Sequence, residues 1–317
     1  MLDEYVTRWP FKRLPSKRLA AAILGGATLL AGGGCRRSAQ SNQSRIVVFN
    51  AGALALPLRQ ALDSFARRND LTASQENAGS VETVRKVTDL GRNPDVIAVA
   101  DTALFGTMLP GRLAGPIAVL GRSKLVLAFT SRSRFADKVT TANWIDVTTR
   151  PGVQVGRSDP ALDPAGYRAL MAMQLAERYY RIPGLDARLQ KAAPSANMRP
   201  KSADLTALLQ TGNLDYAWEY ESVAKSLGLR FINLPPEVDL GDPSLGALYA
   251  TASVQIGTRT APTADGRSSR PLVMRGAPII FGAAILKGGS NPSAARGFLT
   301  YLISPEGRSI LLANGLR

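Results

Sequence analysis

Between Arg45 and Met108 the chain repeats one unit: small residues, after an apolar run or a polar segment, lead into helical periodicity. RIVVF, from Arg45 to Phe49, passes through Asn50-Ala51-Gly52-Ala53 into a predicted helix from about Leu56 to Arg68, with Leu58, Leu62 and Phe65 inward. After the segment TASQEN, Ala78-Gly79-Ser80 opens SVETVRKVTDL, whose Val81, Val84, Val87 and Leu90 share a face. DVIAVAD then leads to ALFGTML. Parallel strands need a crossover between them, so this alternation predicts an α/β fold with a parallel sheet. Ligands of such sheets bind beyond the strand C-termini, where small-residue loops leave helix N-terminal N–H groups free.

The later chain predicts a second lobe. KLVLAFT, from Lys124 to Thr130, is long and apolar enough to carry the chain across. MRPKSADLTALLQTG reads as a helix with Ser202 or Asp204 as its cap and Gly212 at its end. In LDYAWEYESVAKSLG a short strand from Asp215 to Trp218 would place Glu219 at a strand-to-helix junction. Residues 241–270 are rich in Gly, Thr, Ser and Pro, as in a loop or hairpin excursion, and APIIFGAAIL (277–286) is a strand that can return to the first lobe. The expected division is 45–126 with 284–317 as lobe I and 127–283 as lobe II.

Gly156 to Met171, GRSDPALDPAGYRALM, holds the most informative local chemistry. Pro164 suits the first turn of a helix, which leaves Asp163 at the N-cap. Asp163 either only caps that helix, or is delivered by the preceding strand VQVG into a cleft. Helix N-termini favour anions, so a carboxylate aimed into such a cleft is a puzzle.

Residues 1–35 read as an export signal: Arg8, Lys12, Arg13, Lys17 and Arg18 precede a 13-residue apolar stretch, Leu19 to Ala31. AGGGC then sets the chain's only cysteine, Cys35, where a bacterial lipoprotein is cleaved and lipidated, although Gly32 stands where an aliphatic residue is usual. Residues 36–44 read as a polar tether. The 317 residues carry a net charge of +15, and the five basic and two acidic residues before position 35 leave +12 on the remainder. Such a field attracts anions, but the basic residues are scattered, and no nucleic-acid partner is expected. With no histidine, His-based acid–base and nucleophilic chemistry are excluded, and with one cysteine so is an intrachain disulfide.

AGALALPL, NAGSVETVRKVTDLG, SDPALDPAGYRALMAMQLAERYY, LDYAWEYESVAKSLGL and LPPEVDLGDP stand in the order in which similar blocks occur in the tungstate/molybdate-binding proteins of ABC transporters. The chain resembles this family over roughly residues 46–317, and most closely its branch with carboxylates in the site. The resemblance implies a two-lobed periplasmic-binding-protein fold (type II), each lobe a mixed sheet flanked by helices. It implies oxyanion capture in the interlobe cleft and delivery to a membrane permease, by a monomer needing no cofactor. Carried over by position, Gly52 and Ala53 would offer backbone N–H groups and Ser80 an N–H and a hydroxyl. Ala161, Leu162, Asp163 and Glu219 would come from the other lobe, with Glu237 a weaker candidate. Ala53 departs from the usual serine and loses one hydroxyl donor.

The family also suggests an answer to the puzzle. Tungsten(VI) and molybdenum(VI) are large Lewis-acidic centres, so Asp163 and Glu219 could each add one oxygen to the four oxo groups. Sulfur(VI) and phosphorus(V) are too small for this, and sulfate meets the same carboxylates as repulsion, whereas a carboxylate can accept the proton of hydrogen phosphate. Three other readings stay open: a phosphate, sulfate or organic-acid ligand on the same fold, a periplasmic sensor partner with the same ligand, and a secreted hydrolase using Asp163 and Glu219 as an acid/base pair. Expected location is the periplasm or cell surface, held by the lipid at Cys35.

Overall fold

A computed structural model describes residues 44–257 and 272–317. The export signal with Cys35, nearly all of the tether, and 258–271 of the predicted excursion lie outside the described residues. In the first lobe β1 (Arg45–Ala51) lies between β2 (Thr72–Ala78) and β3 (Val96–Val99), all parallel. TASQEN is thus a strand, polar because it lies at the sheet edge. β4 (Ala118–Arg122) and the last strand, β12 (Ile280–Ile285), complete the order β2-β1-β3-β12-β4, with β12 antiparallel to both neighbours. β3 is buried along its whole length, as a strand covered on both faces must be.

The helices follow the apolar spacing. Ala55–Arg68 buries Leu58, Leu62 and Phe65 as expected, and Ser80–Thr88 buries Val81, Val84 and Val87. Leu90 is 70% exposed, because the helix stops two residues before it.

The second lobe is built on β5 (Leu125–Phe129), β6 (Val155–Ser158), β7 (Met198–Arg199), β8 (Tyr216–Tyr220) and β9 (Arg230–Asn233), in the order β7-β6-β8-β5-β9. β6 runs parallel to β7 and β8, and β5 antiparallel to β8 and β9. A hairpin of β10 (Ser253–Ile256) and β11 (Leu272–Arg275) packs on the long helix Pro164–Tyr180 through Gln174. The sheets themselves hand over at Ser123-Lys124 and again before Ile280. Leu125 already pairs with Tyr220, and Ile280 with Arg122. The change of partner falls a few residues ahead of 126/127 and 283/284, since apolar runs continue through it.

β8 divides the interior of this lobe. Successive side chains of a strand point to opposite faces. Tyr216, Trp218 and Tyr220 join the large core shared with the first lobe, while Ala217 joins a smaller core with Val126, Ala128, Leu205 and Leu209 beneath helix Ser202–Thr211. Glu219 therefore lies on the Ala217 side. It sits inside the strand rather than at the expected junction.

Candidate functional site

Asp163 caps its helix, as the first of the two readings has it, and also reaches a second helix. With extended backbone ahead of Pro164, it caps helix Pro164–Tyr180 by accepting at Oδ1 from the Ala165 N–H, 3.1 Å away. Its Oδ2 accepts from the Ser202 N–H at 2.7 Å, which ties the long helix to the first turn of helix Ser202–Thr211. The approach depends on Gly166, where a Cβ would lie 2.4 Å from the Ser158 carbonyl oxygen. The carboxylate is only 4% exposed, and burial pushes its pKa up to about 6 against the pull of the two N–H donors.

Glu219 is buried more completely, at 1% exposed. Its Oε1 accepts from the Tyr220 N–H at 2.7 Å, and its Oε2 has no protein hydrogen-bond partner. Burial, reinforced by the Asp163 carboxylate and opposed by the Tyr220 N–H and the Ser202 side chain, raises its pKa to about 8. The two acids thus feel each other from separate elements of one lobe. An orphaned carboxylate oxygen in an interior is costly and implies a partner still to come.

The first lobe meets this pair with helix N-termini. A Cβ on Gly79 would stand 2.3 Å from the Leu162 carbonyl oxygen and 3.1 Å from the Asp163 Cβ. Val81 and Glu82, in the first turn of their helix, donate their N–H groups to that carbonyl at 3.0 and 3.1 Å. Ser80 lies beside them, fully buried, and its hydroxyl oxygen accepts from the Ala100 N–H at 2.9 Å. A hydroxyl can donate while it accepts, so its proton stays available. At the first helical position its N–H has no intrahelical acceptor. Gly52 and Ala53 occupy the short helical turn Gly52–Leu54 at the end of β1, facing the start of helix Ser202–Thr211: a Cβ on Gly52 would meet the Lys201 Cδ at 3.2 Å.

Not every candidate from the sequence joins the group. The N–H groups of Ala161, Leu162 and Asp163 are spent within their own loop on Asp159, and Leu162 contributes its carbonyl to the closed cleft. Glu237 lies in the helical turn Pro236–Asp239, where it is felt by Tyr249 and by neither buried carboxylate. The charged pair of that region is Lys124 with Asp239, at 3.6 Å. A cavity of about 650 Å³ opens there, lined by Arg122, Lys124, Asp239 and Arg308, and contains neither Asp163 nor Glu219. A small anion needs no such volume, so the interlobe carboxylates remain the better candidate.

A second cluster crosses the cleft beside the first. Arg168, 2% exposed on the long helix, donates from Nη1 to the Ala100 carbonyl at 2.7 Å and to the Tyr220 hydroxyl at 3.0 Å. Its Nη2 lies 3.2 Å from Asp101 Oδ2, which also accepts from the Tyr167 hydroxyl. Tyr167 is a core residue whose hydroxyl end has a partner that its helical spacing does not announce. Sequence reasoning missed Arg168 as a link between lobes, because Asp101 lies 67 positions away along the chain.

The chain matches the model of the bacterial extracellular solute-binding protein family over residues 46–317. It is 36% identical over 280 residues to an uncharacterized solute-binding protein of Petrotoga mobilis, covering 87% of this chain and 84% of the relative. It is 33% identical over 310 residues to the molybdate/tungstate-binding protein WtpA of Pyrococcus abyssi, covering 89% and 87%. Among solved structures, the periplasmic molybdate-binding protein of Azotobacter vinelandii superposes with a TM-score of 0.57 at 15% identity, covering 86% of this chain and 98% of that one. The sulfate-binding protein SubI of Mycobacterium tuberculosis gives 0.61 at 12% identity, with 86% of each chain covered. The expected two-lobed binding-protein fold is therefore present, and a chain of two mixed sheets closed over a buried anion-type cleft belongs to the bacterial extracellular solute-binding proteins.

Proposed function

We propose that the protein captures tungstate or molybdate between its lobes and hands it to the permease of an ABC transporter. The observation that carries this reading is the pair of buried carboxylates, Asp163 packed against a helix N-terminus of the other lobe and Glu219 with its Oε2 unpartnered. N-terminal N–H groups of Gly52, Ala53 and Ser80 would take oxo oxygens, and the Ser80 hydroxyl would add a donor. One oxygen each from Asp163 and Glu219 would complete six-coordination at the metal. Sulfur and phosphorus cannot accept those two ligands, so for sulfate the Asp163 carboxylate, ionised above about pH 6, is an uncompensated like charge, which costs several kcal/mol. A preference of about 3–5 kcal/mol, roughly a hundred- to several-thousand-fold, follows.

Ligand, and not catalysis or a bound cofactor, accounts for the acid pair in this reading. The same reading places the protein in the periplasm or at the cell surface as a monomer, anchored by a lipid on Cys35, with no nucleic-acid partner. The WtpA relative supports the choice of ligand through its name. Titration calorimetry of the purified protein with tungstate, molybdate, sulfate and phosphate is the test. Tight 1:1 binding of the first two alone is expected, with Asp163→Ala and Glu219→Ala each costing at least about a hundredfold. Full tungstate affinity in both variants would overturn the coordination scheme. Binding of phosphate or sulfate instead would keep the fold and discard the ligand.

A further inference from the structure

Three hydroxyls on the Glu219 side of the second sheet share an unusual property. The Oγ atoms of Ser158 and Ser202 and the Oγ1 of Thr206 are all buried and all lack a protein hydrogen-bond partner, as does Glu219 Oε2. Their residues are 0, 0 and 5% exposed.

Geometry brings them to one place. Along the parallel pair, Val155 faces Tyr216 and Gly156 faces Ala217, so the register carried two residues on sets Ser158 beside Glu219. Gly156 and Ser158 share a face, and a Cβ on Gly156 would meet the Leu205 Cδ2 at 3.0 Å, so that face looks at helix Ser202–Thr211. On the helix, Ser202 and Thr206 are one turn apart and on the same side as Leu205 and Leu209, which pack against Ala217. The polar end of this small core therefore consists of Ser158, Ser202, Thr206 and Glu219.

Ser202 holds the central position. Its N–H donates to Asp163 Oδ2, and its side chain belongs to the helix that the Ser158 and Glu219 face of the sheet looks at. One residue thus bonds to one acid and lies on the side of the other. A buried hydroxyl without a partner weakens the fold that contains it, and folding alone gives no reason to keep three.

We propose that Ser202, supported by Thr206 and Ser158, is a positioning residue of the anion site: in the ligand-bound protein its hydroxyl donates to Glu219, fixing the carboxylate against the bound oxyanion while its N–H fixes Asp163. The inference rests on the tungstate/molybdate reading of the same site. It makes Ser202 the joint through which the spacing of the two carboxylates is set, and therefore a determinant of which anion fits between them. Thr206 and Ser158 keep the back of the carboxylate polar, so that Glu219 is held from behind as well as from the cleft.

The test pairs calorimetry with thermal melting of the purified protein, with and without sodium tungstate, for Ser202→Ala, Ser202→Thr and Thr206→Val. Ser202→Ala keeps the N–H and removes only the hydroxyl. It is expected to weaken tungstate about ten- to a hundredfold, the range of a hydrogen bond to a charged group. The ligand-free melting temperature should stay the same or rise, because an unpartnered buried hydroxyl is deleted. Ser202→Thr restores a hydroxyl and should recover affinity to within about threefold. Thr206→Val should show the Ser202→Ala pattern in weaker form. A merely structural hydroxyl would instead lower the ligand-free melting temperature and leave affinity unchanged, and that result overturns the inference. So does unchanged affinity in Ser202→Ala when the unaltered protein binds tungstate normally. If the unaltered protein binds neither tungstate nor molybdate, the function reading falls, and this inference with it.

Discussion

Two buried polar clusters lie side by side in the cleft, and they differ in how fully their atoms are paired. Around Arg168, the guanidinium, the Asp101 carboxylate, the Ala100 carbonyl and the hydroxyls of Tyr167 and Tyr220 all bond to one another. Around Glu219, one carboxylate oxygen and three hydroxyls bond to no protein atom. Both clusters draw on the long helix or its cap. The closed set has settled its charge balance within the protein, so its work is to join the lobes. The open set has spare acceptors and donors, as the proposed anion site requires.

Substitution should affect the two clusters in opposite ways. The largest effect is expected for Arg168→Met, which strands the Asp101 carboxylate and the Ala100 carbonyl in the interior. Stability should fall by about 3–5 kcal/mol, read from denaturant unfolding of the ligand-free protein. If Arg168→Met were neutral, the closed set would not be a structural joint. Gly79→Ala comes next. Its methyl cannot fit against the Leu162 carbonyl, so closure is blocked while each lobe still folds, and tungstate affinity should drop by about a hundredfold with little change in urea midpoint.

Glu219→Gln sharpens the contrast through pH. The ordinary pKa of this carboxyl is 4.5 and burial lifts it to about 8, so between those values the folded protein keeps a proton that the unfolded chain releases. The contribution of Glu219 to the stability of the ligand-free protein should therefore be full below about pH 4.5 and decline as pH rises toward 8, with Asp163 adding to the slope between about 4 and 6. In Glu219→Gln the upper part of that decline should vanish, as followed by melting temperature across the range. The smallest effect belongs to Tyr167→Phe. Asp101 keeps its Arg168 contact, so a loss of about 1–2 kcal/mol is expected, visible in the same unfolding experiment.

The sequence was read most reliably where chemistry is local. Asp163 before Pro164 signals an N-cap, and the structure has that cap. The repeated small-residue loops of the first lobe indicated where the helices Ala55–Arg68 and Ser80–Thr88 begin. Glu219 was harder. YAWEY carries aromatic residues at every second position, and this alternation held the signal that Glu219 faces away from them, yet its acidity favoured a junction over a strand interior. Ser202 was expected, with Asp204, as the cap of its helix, but Lys201 holds the N-cap position and Ser202 is the first helical residue; its contact with Asp163, 39 residues earlier, is announced by nothing in either segment. The Arg168–Asp101 link was hidden for the same reason. Local propensities locate the ends of elements, while contacts between lobes depend on register and crossover geometry, which short patterns do not encode.

The Leu162 carbonyl, held by the N–H groups of Val81 and Glu82, has a consequence for timing. These two bonds run between the main chains of opposite lobes at the edge of the carboxylate pair, so an anion inside leaves only after both have parted. Departure then becomes an event of the polypeptide, paced by how often the lobes separate, and anions of different affinity would share a common ceiling on their escape rate. A docked permease need not compete for the cargo: by holding the lobes apart it could set the clock of release.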